Sequence, residues 1–177
     1  MASSKVIIDA AGIEQALRRM AGEIANQAFS TSEIGLIGIQ SGGVVLARRL
    51  ARILSEILGR TIPVGCLDIG MHRDDLNQRG VPTLYPTEIP FDINNKCVIL
   101  VDDVLFTGRT VRAAMDALND YGRPRMIKLA VLVDRGHREL PIRPDYVGIT
   151  IPTKPSDKVH VIVGDSGTDD AVILHEA

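Results

Sequence analysis

Residues 98–110, Val-Ile-Leu-Val-Asp-Asp-Val-Leu-Phe-Thr-Gly-Arg-Thr, constrain this chain more than any other passage. Four apolar residues run directly into two adjacent carboxylates, Asp102 and Asp103. Thr107-Gly108-Arg109-Thr110 follows, and a helical pattern begins there. A short apolar run with turn residues behind it marks a strand buried on both faces in a parallel sheet. Small and hydroxyl residues entering a helix present backbone N–H groups that attract phosphate. Carboxylates beside them suit sugar hydroxyls or a hydrated Mg²⁺. The passage therefore predicts a ribose phosphate site. The acids would repel phosphate, so they are expected to face ribose hydroxyls, with the phosphate one turn further on. Gly108 lets the backbone approach a ligand closely, Thr107 and Thr110 add hydroxyls, and Arg109 adds charge.

The rest of the chain alternates between the same two kinds of element. Ile13, Leu17, Met20 and Ile24 recur at helical spacing, which predicts an amphipathic helix from about Ala11 to Ala28. Residues 34–39 read as a buried strand ending in Gln40-Ser41-Gly42-Gly43. Leu46, Leu50, Ile53 and Ile57 form a second helical stripe, and Gly59 stops it. Residues 62–69, 97–101 and 127–133 are further strands, and Val111, Ala114, Met115 and Leu118 share one face of the helix between the last two. Strand–helix alternation implies an α/β fold, a central parallel sheet flanked by helices. With 177 residues, 45% hydrophobic and 24% charged, one packed domain spanning residues 1–177 is expected. Two regions break the rhythm. Residues 71–90 have no period and are rich in charge, Gly and Pro, which predicts a long functional loop. Residues 145–174 carry three short strand candidates, 146–151, 159–163 and 171–174, expected to form a small antiparallel hood.

Several chemistries are excluded. A net charge of −2 gives no bulk basic field for nucleic acid, which leaves only a local basic patch. No apolar stretch approaches the ~20 residues of a membrane span, and the start, Met-Ala-Ser-Ser-Lys, has no signal-peptide core, so a cytoplasmic protein without membrane partners is expected. Cys66 and Cys97 lie in apolar runs and read as buried thiols; with the scattered histidines they make no metal-ligand spacing. The dinucleotide, Walker and nucleophile-elbow glycine patterns are all missing. Gln40–Gly43 reads either as a second anion nest or as a plain strand-to-helix turn. The polar run at residues 134–141 follows a buried strand, where open sheets place ligands. Within it His137 reads as an acid–base group or, more simply, as a residue that fixes its loop.

Residues 98–110 resemble the phosphoribosyl-pyrophosphate (PRPP) motif of type I phosphoribosyltransferases. The longer passage from Asp102 through Leu118, the run Arg135-Gly-His-Arg-Glu-Leu-Pro-Ile-Arg, and Arg73-Asp-Asp-Leu in the long loop resemble the PyrR family. That resemblance implies a type I phosphoribosyltransferase fold with a hood from residues 145–174 and a flap at 71–90. It implies two activities: uracil phosphoribosyl transfer (uracil + PRPP to UMP + pyrophosphate, with Mg²⁺ carried by PRPP near Asp102 and Asp103), and UMP- or UTP-responsive binding of pyrimidine-operon leader mRNA that attenuates transcription. A homodimer or higher homo-oligomer is implied as well. By position, Asp102 and Asp103 would hold the ribose hydroxyls, and Val104, Leu105, Phe106, Thr107, Gly108, Arg109 and Thr110 the 5′-phosphate. Gln40, Ser41, Gly42 and Gly43 would form the pyrophosphate loop, Arg73 would ride on the flap, and Arg135 and Val159 would border uracil.

One contrast with purine enzymes and three departures from the PyrR pattern bear on these expectations, one departure being His72 before Arg73 where Tyr is commoner. Purine enzymes usually place a carboxylate where this chain has Phe106, which favours a pyrimidine. Many PyrR proteins have Thr-Arg where this chain has Ser41-Gly42. The missing guanidinium predicts weak pyrophosphate affinity, and Gly42→Arg is expected to raise it. RNA-binding relatives tend to be basic where Gly22, Gln27 and Ile149 stand here, leaving Arg18 and Arg19 on the first helix as the RNA contacts, with Arg123, Arg125 and Lys128 as further cations elsewhere. Two alternatives stay open: a catalytically weak nucleotide-sensing attenuator, and an enzyme without RNA binding.

Overall fold

The computed structural model describes residues 3–27, 33–73 and 83–177. Strand β1 (Ser3–Asp9) leads into helix α1 (Ala10–Asn26), whose start is capped by the Asp9 carboxylate accepting from the Gly12 N–H at 2.9 Å. Strand β2 (Ile34–Ile39), helix α2 (Gly42–Leu58), strand β3 (Val64–Leu67) and one 3₁₀ turn (Gly70–His72) follow. Strand β4 (Cys97–Leu105), helix α3 (Arg109–Leu118) and strands β5 (Met126–Asp134), β6 (Tyr146–Thr150), β7 (Lys158–Ile162) and β8 (Ala171–Glu176) complete the chain. Gly59 ends α2 in the left-handed region at φ 65°, as its position in the sequence predicts.

Five strands form a parallel sheet in the order β3-β2-β4-β5-β6. Its central strands are apolar on both faces because both faces are covered. Side chains alternate across β4, so Cys97, Ile99 and Val101 join the core beneath α1 and α2, while Val98 and Leu100 join the core beneath α3. From β2 the chain crosses to β3 on one side, and from β4 it crosses to β5 on the other. The order therefore reverses between the adjacent strands β2 and β4. A crevice opens at the carboxyl ends of strands at such a reversal. The loops 40–43 and 102–110 both start there.

The sequence expectations need four corrections. Strand β3 covers only Val64–Leu67, although Ile62 and Ile69 on either side are buried as predicted. Strand β4 does not stop at Val101: Asp102 still pairs with Val131 and Leu105 with Asp134, so the acids lie within the ladder. The hood is the antiparallel sheet β1-β8-β7, so the strand at 146 belongs to the main sheet beside β5, and β1, which the sequence reading passed over, replaces it. Ile57 is 51% exposed, although it lies in line with the buried Leu46, Leu50 and Ile53. Ala28 and residues 74–82 of the expected flap lie outside the described residues. Beyond them, the returning segment pairs Glu88 with Cys66.

Candidate active site

Alternation sends the two acids to opposite faces of the sheet. Asp102 has the register of Val98 and Leu100 and turns toward α3; Asp103 turns toward α2. Asp102 is buried, and its Oδ1 accepts the N–H of Asp103 at 2.9 Å. Asp103 Oδ1 accepts the N–H of Val104 at 2.7 Å. Each carboxylate thus has one oxygen held by backbone and a second that accepts no N–H among the described residues. Burial, followed by the neighbouring charge of Asp103, holds the Asp102 carboxyl well above the usual carboxylate range.

The loop after β2 closes against this pair with no room to spare. A Cβ on Gly42 would lie 2.3 Å from Asp103 Oδ2, and one on Gly43 would lie 2.2 Å from the Val101 carbonyl oxygen. Gly43 is therefore required by the approach of α2 to the backbone of β4, whereas at Gly42 the neighbour is the Asp103 side chain. The Gln40–Ser41 peptide is cis, and the Gln40 N–H donates to the Leu67 carbonyl. Ser41 precedes α2 without a side-chain cap. The loop carries no guanidinium, and a side chain at position 42 would fall on Asp103 before reaching a ligand. The expected gain from Gly42→Arg therefore requires the Asp103 carboxylate to turn aside.

A cavity of about 280 Å³ opens beside Asp102 and is lined by it, Arg73, residues 104–111 and Glu139. The structure thus gathers Arg73 from the flap, one acid, and Val104, Leu105, Phe106, Thr107, Gly108, Arg109 and Thr110 around one space. Gly108 precedes α3 at φ 93° and has no side chain to cap it, while Thr107 Oγ1 accepts the Arg109 N–H at 3.3 Å. The N–H groups of Thr107, Gly108 and Thr110 donate to nothing among the described residues. A helix start that leaves such N–H groups unbonded is an anion site by its own electrostatics. Arg109 donates from Nε to Glu139 at 2.8 Å, the two side chains sharing the cavity wall.

Arg135 and Val159 lie off the wall of this cavity. Arg135 is buried, its guanidinium stacked 4.0 Å from the Phe106 ring centroid, and it donates to the carbonyls of Asp157 and Lys154 at 2.9 Å each. Val159, half-buried on β7, packs against the core beneath α1 and α2. His137 meets the Phe106 ring edge-on, and its Nε2 donates to the Thr153 carbonyl at 2.7 Å, which fixes the loop as the simpler sequence reading has it. Glu139 and Arg138 stand out in sequence only as members of the 135–143 run; their contacts to Arg109 and Phe106, 30 and 32 residues away, leave no local signal.

The expected RNA contacts carry acidic partners. Arg18 pairs with Glu14 at 2.9 Å and Arg19 with Glu23 at 2.7 Å. Arg19 also donates to the carbonyls of Val147 and Gly148, tying α1 to β6. Arg125 pairs with Glu33 and Lys128 with Asp145. No helix among the described residues is long and apolar enough to cross a membrane.

The family model of the phosphoribosyl transferase domain matches residues 3–165. The bifunctional protein PyrR of Listeria welshimeri is 51% identical over 181 residues, covering 99% of each chain. That of Chloroflexus aurantiacus is 52% identical over 176 residues, covering 98% of this chain and 97% of its own. Among solved structures, the Trypanosoma cruzi hypoxanthine phosphoribosyltransferase superposes with a TM-score of 0.70 at 20% identity, covering 98% of this chain and 97% of that one. A Bacillus anthracis hypoxanthine-guanine phosphoribosyltransferase gives 0.67 at 22% identity, covering 84% of each. At such identities these two structures speak to the fold alone.

Proposed function

The chain belongs to the phosphoribosyl transferase domain family and, within it, to the PyrR family, and from this we propose that it transfers a ribose 5-phosphate group from PRPP to uracil, giving UMP and pyrophosphate, and that it binds pyrimidine-operon leader RNA in response to UMP or UTP. One observation carries the catalytic half. Two acids at the end of β4 stand between a glycine loop pressed on Asp103 and a turn into α3 where the N–H groups of Thr107, Gly108 and Thr110 have no acceptor among the described residues.

In this reading the 5′-phosphate lies on the N–H groups of Thr107, Gly108 and Thr110. The ribose sits over the end of β4, where it can reach Asp103 on one side and Asp102 on the other. Pyrophosphate leaves toward Gln40–Gly43 and Arg73. The bond from the anomeric carbon to pyrophosphate breaks as the one to the base nitrogen forms, through a sugar with cationic character. No protein nucleophile is needed; alignment of the reacting groups supplies the catalysis, and the acid pair favours positive charge on the sugar. The two carboxyl groups suit a hydrated divalent cation as well as hydroxyls. Mg²⁺ carried with PRPP would neutralise the departing pyrophosphate. Phe106, backed by Arg135 and His137, offers an apolar face and no carboxylate toward the base side, which supports uracil over a purine.

The RNA-binding half rests on family membership. Arg18 is its best-placed contact, its side chain being 59% exposed and paired, among the described residues, only with Glu14. A cytoplasmic location and a homo-oligomeric state are proposed on the same ground. The test of the enzyme is PRPP-dependent transfer to uracil, hypoxanthine and orotate in parallel. Formation of UMP alone is expected; transfer to hypoxanthine instead would contradict the reading.

A further inference from the structure

We propose that Arg138 is a positioning residue that sets the 5′-phosphate loop, an inference that rests on the phosphate reading of residues 106–110. Arg138 stands on the loop after β5, half-buried, and its fork has every arm engaged. Its Nε donates to the Ile142 carbonyl at 3.0 Å and its Nη1 to the Phe106 carbonyl at 2.8 Å. Its Nη2 donates to both Asp134 oxygens, at 2.9 and 2.8 Å. The next residues continue the contact: the N–H groups of Glu139 and Leu140 donate to the Thr107 carbonyl at 2.9 and 3.2 Å. Ile142 and Leu140 then pack on Gly108 so closely that a Cβ there would lie 3.0 Å from Ile142 Cγ1. Residues 138–142 thus form a template under three successive residues of the loop.

Peptide geometry turns this template into an anion site. In a planar trans peptide the C=O of one residue and the N–H of the next point in opposite directions. The Phe106 carbonyl is drawn down onto Arg138, so the N–H of Thr107 points up. The Thr107 carbonyl is drawn onto Glu139 and Leu140, so the N–H of Gly108 points up as well. These are the N–H groups left without acceptors beside the cavity. The guanidinium therefore acts on phosphate without touching it, by fixing the far side of the peptides that do.

Arg138→Lys keeps a cation for Asp134 but cannot reach the Phe106 and Ile142 carbonyls together. Arg138→Met removes both functions. Calorimetric titration with UMP and with uridine separates a lost phosphate site from a loosened fold, because only UMP carries the phosphate. Both variants are expected to bind UMP about tenfold or more weakly, the scale of one charge-assisted hydrogen bond, with uridine affinity held within about threefold. Should Arg138→Met fail to fold, Arg138→Lys and amide NMR of the wild type still decide: the Thr107 and Gly108 N–H resonances are expected to move downfield on adding UMP but not uridine. A UMP-to-uridine affinity ratio unchanged in the folded variants would overturn the role of Arg138 alone, whereas wild-type amides that ignore UMP would overturn the placing of phosphate on those N–H groups and the positioning role with it. Wild type that binds neither PRPP nor UMP would overturn the phosphate reading and the positioning role with it.

Discussion

Adjacent residues of a strand face opposite ways, and this gives Asp102 and Asp103 different surroundings. The difference has a cost in stability that can be measured. In the unfolded chain Asp102 ionises near the ordinary value of about 3.9. In the folded chain, burial and Asp103 hold its proton to higher pH. The folded form then binds more protons between those values, so stability is full below the ordinary value and falls as pH rises toward the raised one. Asp102→Asn removes that titration and keeps an oxygen for the Asp103 N–H. It is expected to melt higher than wild type at neutral pH, by about 2–4 °C for each kcal/mol regained, the gap closing at acid pH. Thermal melts at several pH values check this; parallel curves for the two proteins would contradict it. At Gly42 the expectation reverses what the family pattern suggests. An Arg side chain must displace the Asp103 carboxylate, which Val104 holds in place. Gly42→Arg is therefore expected to lower uracil transfer by about tenfold or more through a misplaced ribose. Steady-state kinetics showing tighter PRPP binding would mean that the carboxylate yields freely.

Elements that report themselves in sequence are those whose environment is decided locally. The strands β2 and β4 are legible because covered parallel strands are apolar throughout, and the acid pair stands out because it interrupts such a run. Strand β1 is mostly exposed and pairs with β8 at the other end of the chain, Ser3 opposite Glu176, so its only local mark is the short β-branched run Val6-Ile7-Ile8. The run at 146 is recognisable as a strand, but which sheet receives it is settled by long-range contacts: β5 alongside, Arg19 on its carbonyls, and the Tyr146 hydroxyl donating to Gln27 at 2.6 Å. Arg138 is hidden for the same reason, since its partner at Phe106 lies 32 residues away. The hood is joined to the helical layer by Arg49, a buried side chain on α2 bonded to Asp170 and to Glu14 of α1. Removing one partner leaves the other charge buried, so Asp170→Asn is expected to cost about 3–5 kcal/mol. Urea denaturation measures this, and a loss below about 1 kcal/mol would show that the hood docks through its apolar side chains instead.

For the whole molecule, net charge and pairing set limits on RNA binding. The chain carries −2, and the basic residues Arg18, Arg19, Arg125 and Lys128 each face an acid. Leader RNA that uses these four residues must therefore displace internal ion pairs to reach phosphate contacts. Affinity is expected to be modest and to fall steeply between about 50 and 200 mM salt. Arg18→Ala should weaken it and leave uracil transfer intact, whereas Arg19→Ala also loosens α1 from β6 and is the poorer probe. A gel shift in which Arg18→Ala binds the leader as tightly as wild type would place the RNA surface elsewhere. The catalytic account turns on the acid beside the glycine loop, and one comparison tests it most directly: transfer of label from uracil to UMP, with PRPP and Mg²⁺, by wild type and by Asp103→Asn. Wild type is predicted to form UMP only when PRPP is present, and Asp103→Asn to be slower by ~10²-fold or more. Rates for the two proteins within about threefold of each other would contradict the assignment of Asp103 to the ribose.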